Sequence, residues 1–321
     1  MQAMQVTEHN SPLTLRELEM PIAAAGQVVV HVATCGLNFG DTLLVKGSYQ
    51  EKPALPFTPG MELAGTITAV GDGVEAFAVG QRVAAYCGVG GLAEYAGVSA
   101  DVCVPLPDEM SFTDAAAFLI TYGTSHIALG ARAALQPAER LLVLGASGGV
   151  GLTAVELGKL MGAEVIACAR GADKLAICAQ KGADHLIDSD SDDIRESVKA
   201  LGGADVVYDP IGGAQFKAAM RASNQGARLL PLGFASGEVP QIPANILLVK
   251  NMTVLGLYLG GFAKLSPRAM TESFATLIDW YVAGKLKPHV SHVLPLAEAN
   301  AGLDLLRARS ATGKVVIEIS Q

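Results

Sequence analysis

Arg140-Leu-Leu-Val-Leu-Gly145-Ala-Ser-Gly148-Gly149-Val-Gly151 is the stretch on which the reading of this chain turns. Four apolar residues run into a glycine cluster, and a segment of helical periodicity follows over about 149–161. A strand that feeds a helix through such a loop suits a dinucleotide. Glycine permits the tight turn, lets backbone approach a pyrophosphate and lets the helix pack close on the strand. The unpaired N–H groups and positive dipole end of the helix then face the phosphates. The spacing is a variant, with Ala146 standing where the usual pattern has its first glycine. A bare glycine pattern also fits other strand-to-helix turns, so the flanking chain must arbitrate. Strands at 164–169, 185–188, 204–209, 227–233 and 252–257, with helices at 172–181 and 191–201 between the earlier ones, supply the answer. Alternation of this kind predicts an α/β domain built on a doubly wound parallel sheet of Rossmann type. Gly145, Ser147, Gly148, Gly149, Val150 and Gly151 are its expected phosphate contacts.

The next strand selects among dinucleotides. An NAD site ends that strand, about 20 residues past the glycines, on a carboxylate that binds the ribose 2′-hydroxyl. Here Val165-Ile-Ala-Cys-Ala169 ends on alanine, followed by Arg170 and then Lys174. Either cation alone suits a solvated strand–helix junction. The missing acid and the two gained cations together favour a 2′-phosphate, hence NADPH. Ligands bind beyond the carboxyl ends of parallel strands, so further contacts are expected around Gly212, at Gly233 and Phe234, and at Leu257–Gly260, with Lys314 near the last.

Composition narrows the remaining classes. The chain has 321 residues, 50% of them hydrophobic and 17% charged, with 36 glycines. That length predicts about two domains. A net charge of −8 repels phosphate backbones and anionic lipid, so neither nucleic acid nor a membrane surface is an expected partner. The five cysteines are odd in number and form no C-x-x-C pair, which points to a reducing cytoplasm. No basic and apolar leader opens the sequence, and no apolar run approaches the ~18 residues of a membrane span.

The first third reads differently from the centre. β-Branched residues at 27–34, alternation at 63–70 before Gly71-Asp72-Gly73, and runs at 82–87 and 92–98 indicate an all-β barrel or sandwich. The pattern changes near 113, where an alanine-rich helix begins; a second helix spans about 122–134. Helices at about 267–283 and 297–309 and a strand at 314–319 close the chain. A last strand that rejoins the first domain would make that domain discontinuous. The expected domains are 1–121 with 261–321, and 122–260.

Six motifs in order carry a family resemblance: Asn38-Phe-Gly-Asp41, Pro59-Gly-Met-Glu62-Leu-Ala-Gly65, Gly80-Gln-Arg-Val83, Thr121-Tyr-Gly-Thr124, the glycine loop, and Gly182-Ala-Asp-His185. With them the chain resembles the medium-chain dehydrogenase/reductase superfamily over essentially its whole length. Within it, the chain is most similar to the zinc-free quinone oxidoreductase branch that includes ζ-crystallin. The resemblance implies a GroES-like, mostly β catalytic domain beside the Rossmann domain. The zinc enzymes carry a Cys ligand where this chain has Asn38 and a His ligand where it has Met61. Neither suits zinc, which prefers thiolate, imidazole and carboxylate. The four-cysteine structural zinc lobe is absent too, and no metal is expected.

Without a Lewis acid to stabilise an alkoxide, the expected chemistry is hydride transfer from NADPH to an acceptor already electron-poor, a quinone or enone. Three side chains are carried over from family positions: Asn38, for cofactor ribose or substrate oxygen; Tyr49, for the substrate pocket; and Thr124, for the nicotinamide. Each also has a plain structural use, as helix cap, loop aromatic and helix residue. Asp41 and Glu62 are read as organising structure. The alternatives are a reductase of 2-enoyl thioesters or haloacrylate-type acids, and a non-catalytic NADPH-binding or RNA-binding crystallin-like role. Family analogy further implies a homodimer joined through the edge strand at Met252–Leu257.

Overall fold

In the computed structural model, which describes residues 1–320, the chain divides at Thr121 and again at Tyr281. The first unit holds Met1–Ile120 and the chain from Tyr281 onward. It opens with the antiparallel pair β1 (Gln2–Gln5) and β2 (Thr14–Glu17). Strand β3 (Gln27–Leu37) then feeds helix α1 (Phe39–Lys46). Strands β4 (Glu62–Val70), β5 (Arg82–Tyr86), β6 (Tyr95–Ser99) and β7 (Cys103–Pro105) precede the short helix α2 (Phe112–Ala116). β3 pairs antiparallel with β4 and β6. Its side chains alternate between faces. Val28, Val30 and Val32 join Leu63, Ile67, Val83 and Val98 in one core, whereas Cys35 and Leu37 enter a second.

The second unit, Thr121–Trp280, takes up the end of α3 (Leu119–His126), which winds on as a π-helical turn over Ile127–Arg132. Six strand and helix pairs follow: β8 (Arg140–Leu144) and α4 (Gly149–Leu160), β9 (Glu164–Ala169) and α5 (Ala172–Gln180), β10 (His185–Asp188) and α6 (Ile194–Ala200), β11 (Ala204–Asp209) and α7 (Gly213–Ala222), β12 (Ser223–Pro231) and α8 (Ala244–Lys250), then β13 (Thr253–Val254) and α9 (Leu259–Leu265). Helix α10 (Pro267–Val282) closes the unit. The strands form one parallel sheet in the order β10-β9-β8-β11-β12-β13. Helices cover both faces of such a sheet, which is why Leu141 to Leu144 are continuously apolar and wholly buried.

The chain then returns to the first unit through β14 (Val290–Pro295), α11 (Ala299–Arg307) and β15 (Lys314–Glu318). β15 pairs antiparallel with β3, setting Val315 opposite Leu37.

Three expectations differ from what is seen. Residues 261–280, assigned from sequence to the first domain, stay with the second unit, because Phe262, Met270 and Phe274 pack on Ile127, Leu257 and Leu259. Gly123 makes room there, since a Cβ on it would meet the Phe274 ring at 2.8 Å. The strand expected over 252–257 pairs only at Thr253 and Val254. Helix α6 starts at Ile194, not at 191, because the Asp193 side chain caps it by accepting from Glu196 N. Among the described residues no helix is long and apolar enough to cross a membrane.

Candidate active site

Parallel pairing brings the carboxyl ends of β8–β13 to one edge of the sheet. The strand order reverses direction between β8 and β11, and such a switch point is where open α/β sheets bind ligands. Gly145 leaves β8 at φ +58, a left-handed conformation that glycine adopts without strain. Its hydrogen also admits the neighbouring loop, since a Cβ would stand 2.6 Å from Ile211 Cδ1. A Cβ on Gly151 would stand 2.2 Å from the Gly145 carbonyl oxygen, so only glycine lets α4 seat against the strand. Gly148 caps α4 without a side-chain bond, leaving the first-turn amides no acceptor inside the helix. Ser147 is buried in this loop, and Gly149 and Val150 open the helix half-buried. A bare helix start beneath close-packed backbone fits a pyrophosphate.

The facing loops are built on Asp209, which is wholly buried at the end of β11. Its carboxylate accepts from Ile211 N at 2.7 Å and Gly212 N at 2.9 Å. Burial pushes this carboxyl up to about 6, against the pull of those amide bonds. The loop after β12 is laced to the same segment: Leu232 N donates to Asp209 O, Ala235 N to Pro210 O and Ser236 N to Ile211 O. Gly233 thereby lies against Pro210, and the Phe234 ring lies 3.1 Å from where a Gly212 Cβ would be. Leu257 is half-buried on the Ile127, Leu259 and Met270 cluster.

Beyond β9, Arg170 is exposed and Lys174 half-buried on the first turn of α5. Partial burial, and then the neighbouring Arg170 charge, hold the Lys174 ammonium below its usual value, with Asp190 acting in the opposite sense. Two cations that repel one another gain from a shared dianion. Asp188, at the end of β10, holds the turn beyond β9: its Oδ1 accepts from Gly171 N at 3.0 Å and from Asp190 N at 3.1 Å.

Thr124 is nearly buried on α3. Its neighbour Ser125 ties this helix to α4 and β11, with its hydroxyl 2.8 Å from both Thr153 Oγ1 on α4 and Tyr208 OH on β11, and donating to Val150 O. His126 is structural: Nδ1 sits 2.7 Å from Ser273 Oγ and the ring packs edge-on to Trp280.

In the first unit, Asn38 and Lys314 meet. The Lys314 ammonium, buried where β15 begins, donates to Leu37 O at 2.8 Å, Asn38 Oδ1 at 2.9 Å and Glu62 Oε1 at 2.6 Å. Asn38 Nδ2 donates in turn to Glu62 Oε1 at 3.0 Å and Gly36 O at 3.1 Å. Glu62 Oε2 accepts from Ile120 N. The Asp41 carboxylate accepts from Asn38 N and Gly60 N, holding the start of α1 to the loop before β4. Burial pushes the Asp41 carboxyl up to about 6 despite those bonds and the Lys314 charge. Tyr49 is half-buried over α1, its ring 3.4 Å from where a Gly40 Cβ would be.

Lys314 belongs to the first unit and Leu257–Gly260 to the second. Its ammonium protons are given to Leu37 O, Asn38 Oδ1 and Glu62 Oε1. No sequence signal announces this network, because Glu62 and Lys314 become neighbours only through the pairing of β15 and β4 with β3. The role of Asp209, just ahead of Pro210-Ile211-Gly212, also escapes a reading of residue types; a lone acid at a strand end is the available signal.

The donors at the zinc positions do not fit that metal. Met61 is buried in the core with its sulfur against Gly40, and the Asn38 amide and Glu62 carboxylate are engaged with Lys314. Burial, and then Asp41, hold the nearby Cys35 thiol well above its usual value. No cluster of three or more His, Cys, Asp or Glu side chains suited to a metal occurs among the described residues.

Residues 24–108 match the family model for the alcohol dehydrogenase GroES-like domain, and residues 149–282 that for the zinc-binding dehydrogenase domain. The chain is 40% identical over 326 residues to a quinone oxidoreductase-like protein 2 homolog of Nematostella vectensis, covering 99% of this chain and 89% of that one. It superposes on the NADPH complex of Escherichia coli quinone oxidoreductase with a TM-score of 0.94 at 27% identity, over 99% and 100% of the two chains. The Thermus thermophilus quinone oxidoreductase, solved alone and with NADPH, gives 0.87 at 34% identity, again over 99% and 100%.

Proposed function

The chain belongs to the quinone oxidoreductase family of the medium-chain dehydrogenases/reductases, and from that premise we propose that it binds NADPH and reduces a quinone or conjugated enone without zinc. One observation carries the reading. The glycine loop lies at the switch point of the sheet, and the adjacent strand ends on Ala169 with Arg170 and Lys174 crowded beyond it.

When bound, NADPH supplies the hydride. The chain does the rest. Backbone N–H groups of Gly149 to Gly151 receive the pyrophosphate, and Arg170 with Lys174 the 2′-phosphate. Asp209 holds the Ile211 and Gly212 amides, and with them the wall on which Phe234 rests. Thr124 and Asn38 serve the nicotinamide half, and Tyr49 lines the acceptor pocket. Lys314 and Glu62 neutralise each other against the Asn38 side chain, and these groups supply no strong Lewis acid. That suits an acceptor whose conjugation spreads the developing charge, and does not suit alcohol oxidation.

The test is NADPH oxidation by metal-stripped protein, with a small quinone and an unsaturated ketone in parallel. We expect turnover that survives chelation. Turnover lost on chelation and restored by zinc overturns the reading. We further infer that two copies pair along the β13 edge, beside which Leu248 and Val249 of α8 are 76% and 69% exposed. Sedimentation of a single species of monomer mass would refute the pairing.

A further inference from the structure

The Asn38 side chain has four hydrogen-bonding valences, two N–H groups and two oxygen lone pairs. Three are filled inside the first unit. Both Nδ2 protons are given away, to Gly36 O and Glu62 Oε1, and one lone pair of Oδ1 accepts from Lys314 Nζ. The neighbours also fix which way round the carboxamide sits. An ammonium only donates and a carboxylate only accepts, so Oδ1 must face Lys314 and Nδ2 must face Glu62. A flip would set two donors against each other and two acceptors against each other. The pair that imposes this is itself immobile: Lys314 has a third bond to Leu37 O, and Glu62 is held from its other oxygen by Ile120 N. The Asn38 backbone N–H is occupied as well, by Asp41 Oδ2. Asn38 nevertheless remains half-buried, not sealed.

We propose that Lys314 and Glu62 are positioning residues that lock the Asn38 carboxamide as an acceptor, so that this position reads a hydroxyl group and does not hold a bare carbonyl oxygen. The inference rests on the proposed NADPH-dependent reduction and narrows what Asn38 does in it. A donor to the substrate carbonyl is no longer open to this residue. The hydroxyl has two sources with the same chemistry, a ribose hydroxyl on the nicotinamide half of the cofactor and the phenolic hydroxyl of a hydroquinone product.

Two measurements on the full chain test it. The first needs no cofactor. Side-chain amide protons of Asn38, identified in ¹⁵N–¹H spectra by their disappearance in Asn38→Ala, should exchange with solvent at least about tenfold more slowly than those of the exposed asparagines. Exchange at the exposed rate overturns the lock, whatever the protein binds.

The second measurement compares probes with and without the hydroxyl. Kd is measured for NADPH against its analogue lacking the 2′-hydroxyl of the nicotinamide ribose. It is also measured for a simple hydroquinone against its dimethyl ether on NADP⁺-loaded protein. One pair should show about a fivefold preference for the hydroxyl form, the worth of one hydrogen bond, and that pair names the source. In the double variant Lys314→Met/Glu62→Gln, which removes both charges together and strands neither, the preference should fall to near unity while the hydroxyl-free probe binds as before. No preference in either pair, or a preference that the double variant keeps, overturns the proposal. Failure of NADPH to bind at all instead overturns the functional reading, and the exchange measurement still judges the lock.

Discussion

Lys314 Nζ stands 2.6 Å from Glu62 Oε1, joining the last strand to the start of β4 across 252 residues of sequence, with the two side chains only 5% and 1% exposed. Breaking a buried pair from one side strands a charge, whereas removing both charges together is far less costly. We therefore expect Lys314→Met alone to lower the unfolding free energy by about 3–5 kcal/mol. The double variant Lys314→Met/Glu62→Gln should recover most of that loss in urea titrations. Equal losses in the single and double variants would show that the pair is not coupled.

Gly151 and Gly148 separate packing from ligand approach. A Cβ at 151 would meet the Gly145 carbonyl oxygen at 2.2 Å, whereas one at 148 would meet the same oxygen at 3.4 Å, an ordinary contact. Gly151→Ala is expected to lower the melting temperature and abolish NADPH binding. Gly148→Ala should fold with near-native stability, and any loss should fall on cofactor affinity. Thermal melts beside NADPH titrations check both, and a stable Gly151→Ala protein would contradict the packing account.

Lys174→Ala should weaken NADPH binding by roughly 10- to 100-fold, the range for a charge-assisted contact, and leave NADH binding within about twofold. The preference of the native protein for NADPH should also shrink as salt rises, because the contact is partly exposed. Equal losses for the two cofactors would remove the 2′-phosphate from this position.

Asp209 and Asp41 set a pH dependence of stability with a definite sign. Burial holds both carboxyls up to about 6 in the folded chain, against an ordinary value of 3.8. Between those values the folded state binds protons that the unfolded state has released, so this stabilisation is complete below about pH 4 and is lost as pH rises through about 6. Each group accounts for a decline of about 3 kcal/mol over that window. The slope of unfolding free energy against pH should therefore flatten by about one proton in Asp209→Asn, measured by urea unfolding from about pH 4 to 7. An unchanged slope would place the Asp209 carboxyl at its ordinary value.

The parallel sheet and the discontinuous first unit are legible in the sequence for different reasons. The turn at 145–151 announces itself because glycine adopts the left-handed φ at Gly145 without strain and is the one residue that tolerates a backbone oxygen where the Gly151 Cβ would be. The missing acid at Ala169 and the cations that follow it are equally local, since strand, turn and helix lie within a few residues of each other. The return of the last strand is legible only as a continuation of the β pattern beyond the helices. The placement of 261–280 is not legible. Met270 and Phe274 are as apolar as residues of either unit, and only their packing on Ile127 and Leu259 assigns them.

The sequence by itself determined the order of elements, the glycine turn at 145–151 and the loss of zinc-type donors at Asn38 and Met61, because each rests on residue type at a position or on short-range periodicity. The tertiary structure alone decided what Asn38 is able to do. Three of its four side-chain hydrogen-bonding valences are filled by Gly36, Glu62 and Lys314, and two of those partners reach it only when β4 and β15 both pair against β3. A side chain's type states how many bonds it is capable of making; only the folded neighbours state which of them are left.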